Sequence, residues 1–175
     1  MKILITGVQN SVEESIVKLA VERIEGKAKF RTLSFSDFID NSSTPKEELD
    51  LLKNTQEKIR DSIQLKLIGE KTGNVIVNGY FTVGTKLGIF PVINDETVKV
   101  FKPDLIIHIN VNPLALGDKL EDEDAFRDQQ DVEKTYALMI AAKAGCSVKI
   151  VHCGIEGSRD AADEIFKLLK ALLVI

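Results

Sequence analysis

The sequence predicts an α/β domain: a five-stranded parallel sheet with helices on both faces. Three observations lead there. Five apolar runs of strand length, at residues 3–5, 28–35, 75–77, 105–109 and 148–151, are spread along 175 residues and lack the clean alternation of half-exposed strands, as expected when both faces are buried. Segments with helical spacing separate them, which favours parallel strands joined by crossovers. The first run, Ile3-Leu4-Ile5, stops at Thr6-Gly7 and opens straight onto helix spacing at Val12, Ile16, Ala20 and Ile24. In chains of this class the first strand-to-helix turn is the usual place for a phosphate.

Each element can be justified in turn. Gly26 breaks the first helix, and Phe30, Leu33 and Phe35 are the apolar members of the second strand. A polar turn then ends in a strong helix start, because Thr44 can cap, Pro45 suits the first helical position and Glu47 completes a capping box. Leu49, Leu52, Gln56, Ile59, Ile63 and Leu67 mark one face of a long helix, which Gly69 to Gly73 end. After the third strand, residues 79–91 read as a glycine-punctuated loop too long for a plain connector, of the kind that carries function. Asn94 can cap a short helix that ends before Pro103. Residues 114–130 mix helix and acidic loop. A helix over residues 130–144 carries Val132, Tyr136, Met139 and Ile140, with Gly145 as its stop. Ser158 caps a last helix whose apolar face is Ile165, Leu168, Leu169 and Leu172. No repeat or linker interrupts the chain, so residues 1–175 are expected to form a single domain.

Composition narrows the function classes. The hydrophobic fraction of 44% and charged fraction of 29% are ordinary for a globular protein. A net charge of -4 without a basic patch argues against a nucleic acid or an anionic membrane as partner. No stretch reaches the ~18 apolar residues of a membrane span, and no secretion signal precedes the first strand, so a cytoplasmic location is expected. Cys146 and Cys153 flank one predicted strand; about seven extended residues place them roughly 23 Å apart, beyond the ~7 Å that a disulfide tolerates. His108 and His152 fall in predicted strands away from any ligand cluster. They read as satisfied, half-buried histidines, and no metal site is predicted.

The loop after the first strand has the position and length of a phosphate cradle but the wrong chemistry. The form G-x-x-x-x-G-K-[ST] needs a second glycine so that backbone N–H groups can curl around phosphate oxygens, a lysine for the terminal phosphates, and a hydroxyl for magnesium. Counting from Gly7, those places hold Val12, Glu13 and Glu14. One reading is a first helical turn whose carboxylates offset the macrodipole, for ~0.3–1 kcal/mol each. The other is a nucleotide-binding loop of Gly7, Val8, Gln9, Asn10, Ser11, Val12, Glu13, Glu14 and Ser15 whose acids oppose phosphate. One pair of like charges ~4 Å apart costs about 4 kcal/mol at an effective dielectric of ~20.

Several short stretches, in order, carry a resemblance: Ile5-Thr6-Gly7-Val8, Ser34-Phe35-Ser36-Asp37-Phe38, Thr55-Gln56-Glu57-Lys58-Ile59, Val75-Ile76-Val77 with the loop through Pro91, Lys102-Pro103-Asp104-Leu105-Ile106, and Ala144-Gly145-Cys146-Ser147-Val148-Lys149-Ile150. Over nearly its whole length the chain resembles the archaeal-type adenylate kinases, P-loop nucleoside monophosphate kinases. The resemblance implies a three-layer P-loop NTPase-like fold, strand order 2-3-1-4-5, a nucleotide ligand and a homotrimer. The trimer has one independent hint, the apolar tail Leu172-Leu173-Val174-Ile175.

The family's functional residues carry over badly. Gln9 to Glu14 stand where family members have proline, glycines, usually lysine, and a hydroxyl residue. Asn78 stands where an acidic residue helps to hold magnesium through water. The monophosphate-clamping arginine falls at about Leu49 and a further basic residue at Gly84. The arginine-rich lid matches residues 118–130, shortened and acidic, with Lys119 and Arg127 as its cations. Ser15, Thr82, Thr85 and Gly88 match, and Asp37, Asn78, Thr82, Thr85 and Gly88 mark the expected monophosphate side. Because phosphoryl transfer depends on positioning and on cations that neutralise the transferring group, the leading expectation is a catalytically impaired relative that binds a nucleotide or other small ligand, or regulates. The alternative is an active adenylate kinase, with ATP and magnesium, whose site is rebuilt around Arg127, Lys119 or a neighbouring subunit's basic residue. A third reading is a structural subunit whose cleft is filled by Gln9, Asn10 and Val12.

Overall fold

The computed structural model describes residues 1–8, 12–24, 30–34, 45–68, 73–86, 88–155 and 157–172. In chain order the strands are β1 (Lys2–Thr6), β2 (Phe30–Ser34), β3 (Asn74–Gly79), β4 (Thr82–Thr85), β5 (Gly88–Pro91), β6 (Leu105–Val111) and β7 (Ser147–Cys153). The helices are α1 (Glu13–Glu22), α2 (Pro45–Ile68), α3 (Asp95–Phe101), α4 (Glu123–Ala144) and α5 (Ser158–Leu172). Five strands form one sheet in the order β2-β3-β1-β6-β7, and every pair in it is parallel. With the β4–β5 pair set aside, this is the expected order 2-3-1-4-5.

The apolar runs fail to alternate because successive residues enter two different cores. Ile3, Ile5, Ile76, Ile107 and Ile109 pack with Ile16 and Ala20 of α1 and Ile165 and Leu169 of α5. Leu4, Val75, Val77 and Ile106 point the other way, onto Ile59 and Ile63 of α2, Phe101 of α3 and Ala137 and Ile140 of α4. Burying each such side chain contributes about 1.5–3 kcal/mol, so a one-residue slip of the register would disrupt both layers.

Several expectations need correction. Residues 79–91 are not a loop: β4 and β5 form an antiparallel hairpin with Val83 opposite Phe90 and Thr85 opposite Gly88. Leu52, Tyr80, Val83 and Val92 form a small core of their own beneath it, with Phe90 packed against them. Gly88 has φ +120 at the turn, a conformation that L side chains rarely adopt.

The acidic stretch near residue 122 is a helix start. Asp122 accepts from the Ala125 N–H at 3.0 Å, and Glu123 and Asp124 occupy the first turn of α4, where carboxylates face the positive end of the dipole. The buried face of α4 is Phe126, Gln130, Glu133, Ala137, Ile140 and Ala141. Val132 and Met139, expected inside, are 38% and 39% exposed. The helix is thus rotated to bury two polar side chains, which the hydrogen bonds described below make possible.

His108 is also corrected. It is fully buried, and among the described residues neither ring nitrogen has a hydrogen-bond partner. Burial, with Lys134 and His152 adding, lowers its pKa to about 4, so the ring is neutral. Ser158 is the first residue of α5. Asn94 does cap α3, accepting from Thr97 N–H at 2.9 Å, and Pro45 opens α2, whereas Thr44 lies outside the described residues. Cys146 and Cys153 are both free thiols. Among the described residues no helix is long and apolar enough to cross a membrane, and no three His, Cys, Asp or Glu side chains converge as metal ligands.

Candidate functional site

The site lies at the C-terminal end of β1, where such sheets present their ligand crevice. Thr6 and Val8 are buried, and α1 starts at Glu13. Gln9, Asn10 and Ser11 lie outside the described residues, as do Asp37 and the tail from residue 173.

Glu13, at the lysine position of the phosphate-loop pattern, is turned inward. A Cβ on Gly7 would lie 3.0 Å from Cγ and 3.1 Å from Cβ of Glu13, and 3.4 Å from the Ile109 carbonyl oxygen. A side chain at residue 7 would crowd Glu13, which would have to give by a few tenths of an ångström. Glu13 is 7% exposed. Burial pushes its pKa up to about 8; the Asn78 hydrogen bond opposes this, and the charges of Glu14 and Glu133 add to it. The carboxyl therefore holds its proton at neutral pH. This corrects two expectations at once: Glu13 neither offsets the helix dipole nor repels phosphate as a full charge. Glu14 and Ser15 are exposed.

A second buried carboxyl closes the site from α4. Glu133 is 0% exposed. Its Oε1 accepts from the Thr6 hydroxyl and from Phe81 N–H at 2.5 Å. Its Oε2 accepts from Thr82 N–H at 2.8 Å and from the Thr82 hydroxyl at 2.5 Å. Burial raises its pKa to about 7 against these bonds. Four donors surround the Glu133 carboxyl and oppose the effect of its burial. Tyr80 joins the two carboxyls: burial first, then the charges of Glu13, Glu14 and Glu133, push its phenol up to about 12.

The remaining expected residues disperse. Thr82 is committed to Glu133, and the Thr85 hydroxyl donates to the Gly88 carbonyl across the hairpin turn at 2.7 Å. Asn78 belongs both to the Glu13 bond and to a groove of about 450 Å³ lined also by Glu14, Ser15, Lys18, Thr32 and Ser34. Arg127 lies 2.5 Å from Glu123 in an exposed ion pair and lines a separate pocket of about 300 Å³ with Asn110, Asn112, Gln130, His152 and Cys153. The side chain of Lys119 lies outside the described residues.

These donors do not fit a magnesium–nucleotide group. The lysine position holds a neutral acid, the hydroxyl position holds Glu14, and Asn78 replaces an acid. No reaction step through that group follows from this arrangement.

Gln130 and Glu133 were missed from the sequence. Gln130 brackets the end of β6, accepting from Val111 N–H at 2.7 Å and donating to its carbonyl at 3.1 Å. The available signal was phase: both fall on the same helical face as Ala137, Ile140 and Ala141, where polar residues would otherwise be excluded.

Comparison with known proteins agrees with this architecture. A family model described as AAA domain matches residues 14–136, so the match starts at Glu14, the last altered position of the loop. The adenylate kinase of Pyrococcus horikoshii is 25% identical, with 95% of this chain and 94% of that protein aligned. The adenylate kinase of Methanoculleus marisnigri is 23% identical over 86% and 88%. A GTPase solved in apo form from Pyrococcus abyssi shares the fold at a TM-score of 0.52 and 13% identity, covering 94% of this chain and 71% of that one. With its parallel sheet in the order 2-3-1-4-5 and this family match over most of its length, the chain belongs to the AAA domain family, on a P-loop NTPase-like fold, as a divergent relative of the archaeal-type adenylate kinases.

Proposed function

We propose that this chain is an adenylate kinase relative without phosphoryl transfer, which acts as a binding or regulatory protein for a nucleotide or other small ligand. The observation that carries the reading is Glu13, buried against Gly7 in the place where a phosphate-binding lysine would project. Transfer rates in this chemistry come from cations that neutralise the moving group, whereas the lysine and hydroxyl positions of this loop hold Glu13 and Glu14. The grooves beside α1 and at the ends of β6 and β7 have the size of a small-ligand site. A cytoplasmic homotrimer is part of the proposal; light scattering that gives the mass of one chain at micromolar concentration would remove the trimer.

Two measurements test the function. Conversion of ATP and AMP to ADP should stay at background, and a thermal-shift screen of nucleotides and phosphorylated metabolites should find a stabilising ligand. Occupancy at 100 times the dissociation constant adds about 2.7 kcal/mol. Turnover at an ordinary kinase rate would favour the active kinase with ATP and magnesium. A screen without any stabilising ligand would favour a structural subunit.

A further inference from the structure

We propose that the outer face of α4 is a two-fold contact, on which a second copy of this chain packs its own α4 antiparallel. The inference goes beyond the ligand site and stands whether or not the protein turns over nucleotide.

The helix carries two apolar stripes. Its inner face, from Phe126 to Ala141, is buried. On the opposite face Val132, Leu138 and Met139 are 38%, 50% and 39% exposed, and Thr135 and Ala142 are exposed with them. Asp128, Val132, Thr135, Met139 and Ala142 follow one another at the alternating spacing of four and three residues that marks a seam between two helices. A helix lying on a sheet needs one apolar stripe; the second fits a second partner. The Thr135 hydroxyl donates to the Asp131 carbonyl of its own helix at 2.8 Å, so covering Thr135 strands no polar group.

Shape and charge both select another α4 that runs the other way. A two-fold axis level with Ala137 sets Val132 against the partner's Ala142 and Met139 against the partner's Thr135, so each long side chain meets a short one. A parallel pair would set Met139 on Met139 and leave Ala142 facing Ala142. Charge is split along the same helix. The exposed acids Glu123, Asp124, Asp128 and Asp131 all lie in its N-terminal half. Beside its C-terminal end, Lys143, Lys99 and Lys102 line a groove of about 470 Å³ together with Asp95. Arg127 and Lys134 offset Glu123 and Asp131 in ion pairs, and Asp95 offsets Lys143. The excess is thus Asp124 and Asp128 at one end and Lys99 and Lys102 at the other. Antiparallel packing brings the acidic end of each copy to the lysine end of its partner, twice over, whereas parallel packing would bring like to like. A contact of this kind closes on itself.

Light scattering and sedimentation at about 1–100 μM test the contact. The unaltered chain should reach the mass of two copies, or of six if a three-fold assembly also forms. Met139→Lys puts a charge on the seam at an already exposed position; it should halve that mass and leave the far-UV circular dichroism unchanged. Leu65→Lys on α2, where the leucine is 73% exposed, should leave the mass as it was. Raising sodium chloride from about 0.1 to 1 M shortens the Debye length from ~10 to ~3 Å and should weaken the self-association by about tenfold, because opposite charges hold the ends. A contact held by apolar groups alone would not weaken. The salt series uses the unaltered chain, so the test holds even where a variant folds poorly. A mass of one or three copies at 100 μM, an even assembly that survives Met139→Lys, or self-association that salt does not weaken would overturn the two-fold contact. Failure of the non-catalytic reading would show separately, as ADP formation.

Discussion

Glu133 Oε2 accepts both the backbone N–H and the hydroxyl of Thr82, at 2.8 and 2.5 Å, so a single side chain from α4 fixes the strand that opens the hairpin. The other oxygen holds Phe81 N–H and Thr6. Three segments distant in sequence thus meet on one carboxyl, and the site's shape depends on it.

Replacing Glu133 by Ala should destabilise the protein by about 2–6 kcal/mol, since two buried backbone N–H groups lose their partners at about 1–3 kcal/mol each. Glu123→Ala, which removes the exposed partner of Arg127, should change stability by less than about 1 kcal/mol. Urea unfolding of the two variants makes the comparison, and equal effects would remove Glu133 from its central place.

Stability should fall as the solution becomes alkaline. Burial raises Glu13 to about 8 and Glu133 to about 7 from an ordinary value of 4.5. The folded state thus binds protons that the unfolded state releases, and this contribution is complete below pH 4.5 and lost as pH rises toward 8. Each fully coupled proton is worth up to about 1.4 kcal/mol per pH unit. Melting temperature should therefore drop between pH 6 and 8, and Glu13→Gln should flatten most of that slope.

His108 acts on the acid side with the opposite sign. Its pKa is lowered from 6.5 to about 4, so the unfolded chain takes up a proton that the folded chain refuses; stability is present above 6.5 and lost as pH falls toward 4. Between pH 4.5 and 6.5 the two glutamates lose stability faster than His108 gains it, so these three groups together place the maximum near pH 4.5. His108→Leu removes two buried nitrogens without partners among the described residues and should stabilise by about 1 kcal/mol. Calorimetry at pH 4.5 and 6.5 reads both effects, and an unchanged acid limb in the variant would assign it elsewhere.

Rebuilding the loop should recover nucleotide binding without recovering catalysis. Asn10→Gly, Val12→Gly, Glu13→Lys and Glu14→Thr together restore the residue types that cradle phosphate. Titration calorimetry should then show ATP binding at least about tenfold tighter, a gain of about 1.4 kcal/mol. Turnover should stay low, because the lid stretch remains acidic and Leu49 and Gly84 still replace basic residues. Micromolar ATP binding by the unaltered protein would contradict the filled loop.

Much of this molecule is legible in the sequence. Apolar runs without alternation meant strands buried on both faces, and Leu4 and Ile5 do enter opposite cores. The abrupt change at Thr6-Gly7 marked the loop, and Asn94 was a readable cap. The hairpin was less legible: Gly79, Gly84 and Gly88 looked like a loop, and the strands are held by a local core around Val83 and Phe90 that includes Leu52, distant in the chain. The phase of α4 was misread because Val132 and Met139 are apolar, yet a helix turns toward whatever partners bury the most at the least cost.

What the sequence determines by itself is the order of strands and helices and the replacement of the loop's lysine by an acid, since periodicity and residue identity are local properties. The tertiary structure alone decides that Glu13 is neutral, that it lies over Gly7, and that Glu133 stands beside it. Burial, neighbouring charge and hydrogen-bond donors set a carboxyl's proton affinity, and these come from β3, the hairpin and α4, which only folding brings to the end of β1.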